Sequence, residues 1–134
     1  MMSFQNALGQ PVGSPVPEWK PPPIPPHTPL AGRYCDLEPL DPDRHAQELY
    51  AAISADGEGR MWTYLPYGPF PTFAAYRAWI DHPCPDADAQ FYAIRAGVNR
   101  RACGVACYRS IAPTAGSLEV AHVAFAPELQ RTPA

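Results

Sequence analysis

The sequence predicts a mixed α+β domain in which one strand and two helices precede an antiparallel meander of three strands. Three observations predict it. Two helix-start signals, Asp41-Pro42-Asp43 and Thr72, each stand just ahead of apolar residues at helical spacing. Three strand-like runs lie at 91–96, 102–111 and 118–125, separated by turn signals at 97–100 and 113–117. A further alternating run, 32–40, comes before the first helix. The chain has 134 residues, one domain's worth, and its 46% hydrophobic content is enough to bury a core. It carries no internal repeat.

Taken in order, residues 1–29 read as a Pro-rich extended arm and 30–134 as the domain. Pro21-Pro22-Pro23-Ile24-Pro25-Pro26 cannot form helix or ladder hydrogen bonds and favours polyproline II. Such an arm either lies across the domain, pinned by Trp19 and Ile24, or docks in a partner's SH3- or WW-type groove. In 32–40, Cys35 and Leu37 share one face, Tyr34 and Asp36 the other. Asp41 then serves as N-cap with Pro42 at the first helical position, and Ala46, Leu49, Tyr50 and Ile53 form the buried stripe. His45 beside it reads as a packing or surface histidine. After the turn Asp56-Gly57-Glu58-Gly59 comes 61–70, MWTYLPYGPF, whose aromatics, prolines and glycine point to a rigid irregular loop. Thr72 caps a short helix carrying Phe73, Tyr76, Trp79 and Ile80. The Pro-rich turn 82–88 leads into the meander.

In the last strand, regular alternation places Leu118, Val120, His122 and Ala124 on one face. Glu119, Ala121, Val123 and Phe125 then take the other, so Glu119 and His122 are expected on opposite sides. Pro127 stops the ladder because it has no N–H. A strand running into a short polar turn is the entrance to an anion site when a helix follows.

The net charge of −3 and the absence of a basic patch exclude nucleic-acid or anionic-membrane binding as an expectation. No long apolar run or basic-then-apolar leader is present, which predicts a soluble cytoplasmic protein. The four cysteines, Cys35, Cys84, Cys103 and Cys107, form no disulfide framework. Cys103 and Cys107 lie too far apart along one strand to bond, and no zinc-knuckle turn accompanies them, so buried reduced thiols and no metal are expected.

Two stretches, AHVAFAPELQRTPA at 121–134 and WTYLPYGPF at 62–70, resemble the Gcn5-related N-acetyltransferase (GNAT) superfamily, in particular its branch that acetylates protein and ribosomal-protein N-termini. The resemblance covers about residues 30–134. It implies an acetyl-CoA-dependent N-acetyltransferase that acts on an amine, a protein N-terminus or a small molecule. The family's phosphate loop begins with Gln or Arg; Gln130 fits that position, and Arg131 and Thr132 the next two. Pro133 stands where glycine is usual, and Ala134 follows it.

The resemblance further implies that backbone at Val123 and Phe125 pairs with the pantetheine arm, and that Trp62, Tyr64 and Tyr67 contact the acceptor. Glu119, and after it His122, are the groups implied for proton transfer. Because the chain stops within the loop, the expectation is the N-terminal half of the fold, with the C-terminal half absent and little activity alone. The last strand is then an exposed edge open to self-association. The alternative is a non-catalytic protein-binding module that uses this edge or the Pro-rich arm.

Overall fold

The computed structural model describes residues 4–134; the first three residues of the Pro-rich arm lie outside the described residues. A five-stranded antiparallel sheet forms the body. Its strands run in the spatial order β3 (Leu30–Ala31), β4 (Cys35–Pro39), β5 (Gln90–Ala96), β6 (Arg101–Ala112) and β7 (Ser117–Phe125). Helices α1 (Pro42–Ile53) and α2 (Phe73–Ile80) fall between β4 and β5, and β1 (Phe4–Gln5) with β2 (Pro11–Val12) forms a separate hairpin. The predicted order of strand, helix, helix and meander is present. The short strand β3 and the β1–β2 hairpin are additions, too brief to carry a periodic signal.

Both helix starts follow from their caps. The Asp41 side chain accepts from the Asp43 N–H and Pro42 occupies the first turn, while Thr72 Oγ1 accepts from the Ala75 N–H. Helix α1 buries His45, Ala46, Leu49 and Ile53. Its contact with β4 is polar: Glu38 accepts from His45 Nε2 at 3.0 Å and pairs with Arg44 and Arg95. The hydrogen bonds from His45 and Arg95 hold the Glu38 carboxyl below the usual carboxylate range. His45 is thus a packing histidine, its Nδ1 accepting from the Asp41 N–H.

The strand register separates two faces. Phe91, Ala93, Val105 and Cys107 share one face with Glu38, which α1 covers; Tyr92, Ile94, Gly104 and Ala106 share the other. The arm crosses the second face. Gln90 Nε2 donates to the Pro25 carbonyl, the Tyr92 hydroxyl to the Pro26 carbonyl, and His27 meets the Tyr92 ring edge-on at 4.9 Å. The anchor is therefore His27 with two proline carbonyls, and not Ile24, which is largely exposed. Trp19 packs over Gly116 in the turn before β7. At the far end of the same face, Leu129 packs against Gly104, where an added Cβ would lie 2.7 Å from its Cδ2.

Two bulges interrupt the β6–β7 ladder. Val105 pairs with Ala124 but Cys107 with Ala121, so His122 and Val123 together oppose Ala106. His122 takes a left-handed backbone with φ 51°, and Ser110, at the second bulge, φ 48°. Regular alternation along β7, which the sequence implied, therefore fails at His122. β7 is one of the sheet's two edge strands among the described residues, the other being the short β3, and Leu118, Val120, Val123 and Phe125 are exposed on it.

Candidate functional site

The bulge decides what the helix-covered face of β7 presents. Glu119 pairs with Arg109 and Ala121 with Cys107, which places Glu119 on the face toward α2 and the aromatic loop. His122, one residue out of step, is turned to that same face. Its ring lies 5.8 Å from Tyr67, nearly parallel, and 5.4 Å from Phe91. The expectation that Glu119 and His122 point to opposite sides is corrected here. A two-for-one bulge cancels the change of face that their three-residue spacing gives in a regular strand.

The loop that meets them is rigid for a packing reason. A single 3-10 turn, Arg60–Trp62, drops Trp62 into the core at 6% exposure. Trp62 packs edge-on against Phe70 at 5.3 Å, and Tyr67 lies 4.6 Å from Trp79. Each such pair adds roughly 0.5–1.5 kcal/mol beyond its area burial. The three aromatics expected to contact an acceptor are thus separated by the structure. Trp62 is interior and shapes the loop from beneath. Tyr64 is 97% exposed, and Tyr67 lies half-buried between the loop and β7. Its hydroxyl sits 3.0 Å from His122 Nδ1, and burial pushes the phenol up to about 12.

Charged groups flank this contact. Arg109 on β6 pairs with Asp86 of the 82–88 turn at 3.1 Å and lies 3.6 Å from Glu119, whose carboxylate also accepts from Ser110 Oγ. Burial first, then the Arg109 charge, lowers the His122 imidazole below its ordinary 6.5; Asp86 and Glu119 oppose this in part. His122 Nε2 is covered and has no partner among the described residues. The Asp86–Arg109 pair carried no sequence signal, because neither residue belongs to a motif and 23 positions separate them.

Beyond β7 the chain makes a run of turns from Pro127 to Thr132. Gln130 Nε2 donates to the Phe125 carbonyl at 2.8 Å, and Thr132 Oγ1 donates to the Leu129 carbonyl at 2.7 Å while accepting from the Ala134 N–H. Arg131 adopts φ 60° and its side chain is exposed. Among the described residues, the N–H groups of Arg131 and Thr132 donate to no protein acceptor. Gln130 also lines, with Pro127, an open groove of about 540 Å³ whose far wall is Ala55 to Met61. Ala134 and Thr132 line a smaller cavity of about 230 Å³ with Tyr34, Ala96 and Cys103. The residues expected to hold a cofactor, Val123, Phe125, Gln130, Arg131, Thr132 and Ala134, therefore run contiguously from the β7 edge into this turn.

Among the described residues no three His, Cys, Asp or Glu side chains gather as a metal site would need, and no helix is long and apolar enough to cross a membrane. Burial raises the Cys107 thiol to about 11, with Cys84 adding to the shift, so it is inert as a nucleophile near neutral pH.

No protein-family model and no curated protein matches the chain. Solved structures do. A GCN5-related N-acetyltransferase from Brucella melitensis aligns over 88% of this chain with TM-score 0.79 and 29% identity. A probable acetyltransferase of the GNAT family from Chromobacterium violaceum aligns over 92% with TM-score 0.76 and 30% identity. A structure from T. thermophilus shares the fold at 20% identity, TM-score 0.64 and 79% coverage. The chain spans 53% and 62% of the length of the first two. In topology and in sequence the chain is similar to the Gcn5-related N-acetyltransferase superfamily.

Proposed function

We propose that this chain supplies the acyl-transfer face of an acetyl-CoA-dependent N-acetyltransferase acting on a protein N-terminus or another primary amine. The observation that supports it best is the β7 edge, unpaired among the described residues and continued by a turn whose Arg131 and Thr132 N–H groups have no acceptor among them. An extended pantetheine arm can pair with such an edge as an added strand, and unpaired N–H groups suit a phosphate. Pro133 contributes none and the Ala134 N–H already donates to Thr132 Oγ1, so the cradle rests on Arg131 and Thr132. The Phe125 carbonyl is already taken by Gln130, which leaves Val123 as the better placed backbone partner.

Acetyl-CoA supplies an activated thioester. The amine attacks its carbonyl carbon, a C–N bond forms, and the C–S bond breaks with the thiolate leaving. The chain's own task is to accept the proton that the amine nitrogen loses. Glu119 is exposed on the helix-covered face beside the aromatic loop and is our first choice for that role; His122 is the second. Exposed Tyr64 and the open groove beside Gln130 are the surfaces we assign to the acceptor. A non-catalytic role for the arm is less well supported, since Pro25 and Pro26 are engaged by the sheet.

The test is acetyl transfer to a peptide with a free N-terminus, followed by mass spectrometry. We expect acetylated product from the wild-type chain and a rate about 10²-fold lower or more for Glu119→Gln. An unchanged rate in a folded Glu119→Gln variant contradicts the role of Glu119. No product from any peptide or small amine contradicts transfer by this chain.

A further inference from the structure

Tyr67 and His122 come from segments 55 positions apart and meet through one polar contact inside an aromatic box. Either the phenol donates to Nδ1 or Nδ1–H donates to the phenol oxygen. In the first arrangement the imidazole proton sits on Nε2, and one group, Nε2–H, lacks a partner. In the second, the phenol O–H lacks an acceptor and Nε2 is a bare unpaired acceptor, so two buried groups go unsatisfied. Among the described residues the Tyr67 hydroxyl has no other partner, and burial keeps it protonated. The first arrangement is favoured.

We propose that Tyr67 is a positioning residue that fixes His122 as the neutral Nε2–H tautomer and pins the aromatic loop to the bulge of β7. Held this way, the imidazole is a poor proton acceptor near neutral pH: Nδ1 already accepts the phenol hydrogen bond and Nε2 already carries hydrogen. Proton acceptance then falls to Glu119, a consequence that rests on the acetyltransferase reading; the tautomer itself does not. The surroundings agree with a neutral ring. Arg109 on β6 opposes a second proton, Asp86 and Glu119 compensate in part, Phe91 on β5 contributes only aromatic surface, and Tyr67 adds its ring and its hydroxyl. The left-handed φ of 51° at His122 is the backbone distortion that brings the ring into this contact.

Long-range ¹H–¹⁵N correlation on the full chain reads the tautomer directly, with His122→Gln identifying the resonance among the four histidines. Wild type is expected to show His122 as Nε2–H at pH 7.5, with a titration midpoint below 6.5. Tyr67→Phe should give a mixture of tautomers and a midpoint moved toward 6.5. A wild-type His122 protonated on Nδ1, or already mixed, overturns the proposal, and this outcome does not depend on the variant folding. A folded Tyr67→Phe that keeps the wild-type tautomer and midpoint overturns it as well. Neither readout needs substrate, so failure here is distinct from failure of acetyl transfer.

Discussion

At Gly68 the backbone turns with φ 77°, and a Cβ there would lie 2.5 Å from the Trp62 ring. Only glycine allows both the conformation and the close approach. Gly68→Ala therefore strains the turn and displaces Trp62, the aromatic that carries the loop. We expect a loss of about 3 kcal/mol, seen as a lower urea midpoint with an unchanged slope. A loss under ~0.5 kcal/mol would show that the loop is not held through this contact. The sequence marked 61–70 as a rigid aromatic loop, since four aromatics among prolines and a glycine cannot propagate a helix or ladder. Which aromatic faces inward was not legible there. Burial of Trp62 and exposure of Tyr64 follow from one 3-10 turn that composition does not encode.

Between elements, the joint that matters is the loop against β7. Its register could not be read from alternation, because a bulge adds one residue without any change of residue type. Leu118 to Phe125 reads as regular strand, and only the pairing of Ala121 with Cys107 and Ala124 with Val105 reveals the shift. The starts of the capped helices, by contrast, were legible, because their signals are local and their causes lie within four residues; the buried stripe of α1 was legible in part, since His45 is buried and Tyr50 only half-buried. The joint also carries a pH dependence of known sign. His122 is held below its ordinary 6.5, so near that pH the unfolded chain binds more protons than the folded one. Its stabilising contribution is complete above 6.5 and is lost as pH falls through the lowered folded value. Stability should fall with acidification in that window and should fall less in His122→Gln. Glu38 contributes separately: its lowered carboxyl stabilises above 4.5, and that part is lost only as pH drops further. Urea unfolding followed by tryptophan fluorescence from pH 7.5 to 5 checks this. A flat wild-type profile, or one that His122→Gln leaves unchanged, would contradict it.

For the molecule as a whole, the sheet presents one face to the helices and the aromatic loop, and the other to the arm and the terminal turns. The arm's carbonyls and His27 cover Tyr92, while Leu129 packs against Gly104 at the opposite end. Among the described residues, the long β7 edge is open, as is the turn after it, where the unpaired N–H groups of Arg131 and Thr132 lie. The central claim is that this open edge holds acetyl-CoA. Calorimetric titration of the folded chain with acetyl-CoA tests it most directly, with Thr132→Pro removing one N–H from the turn. The account predicts saturable one-to-one binding that weakens in Thr132→Pro. No saturable heat from a chain shown by circular dichroism to be folded would contradict it, and so would equal binding by the folded variant.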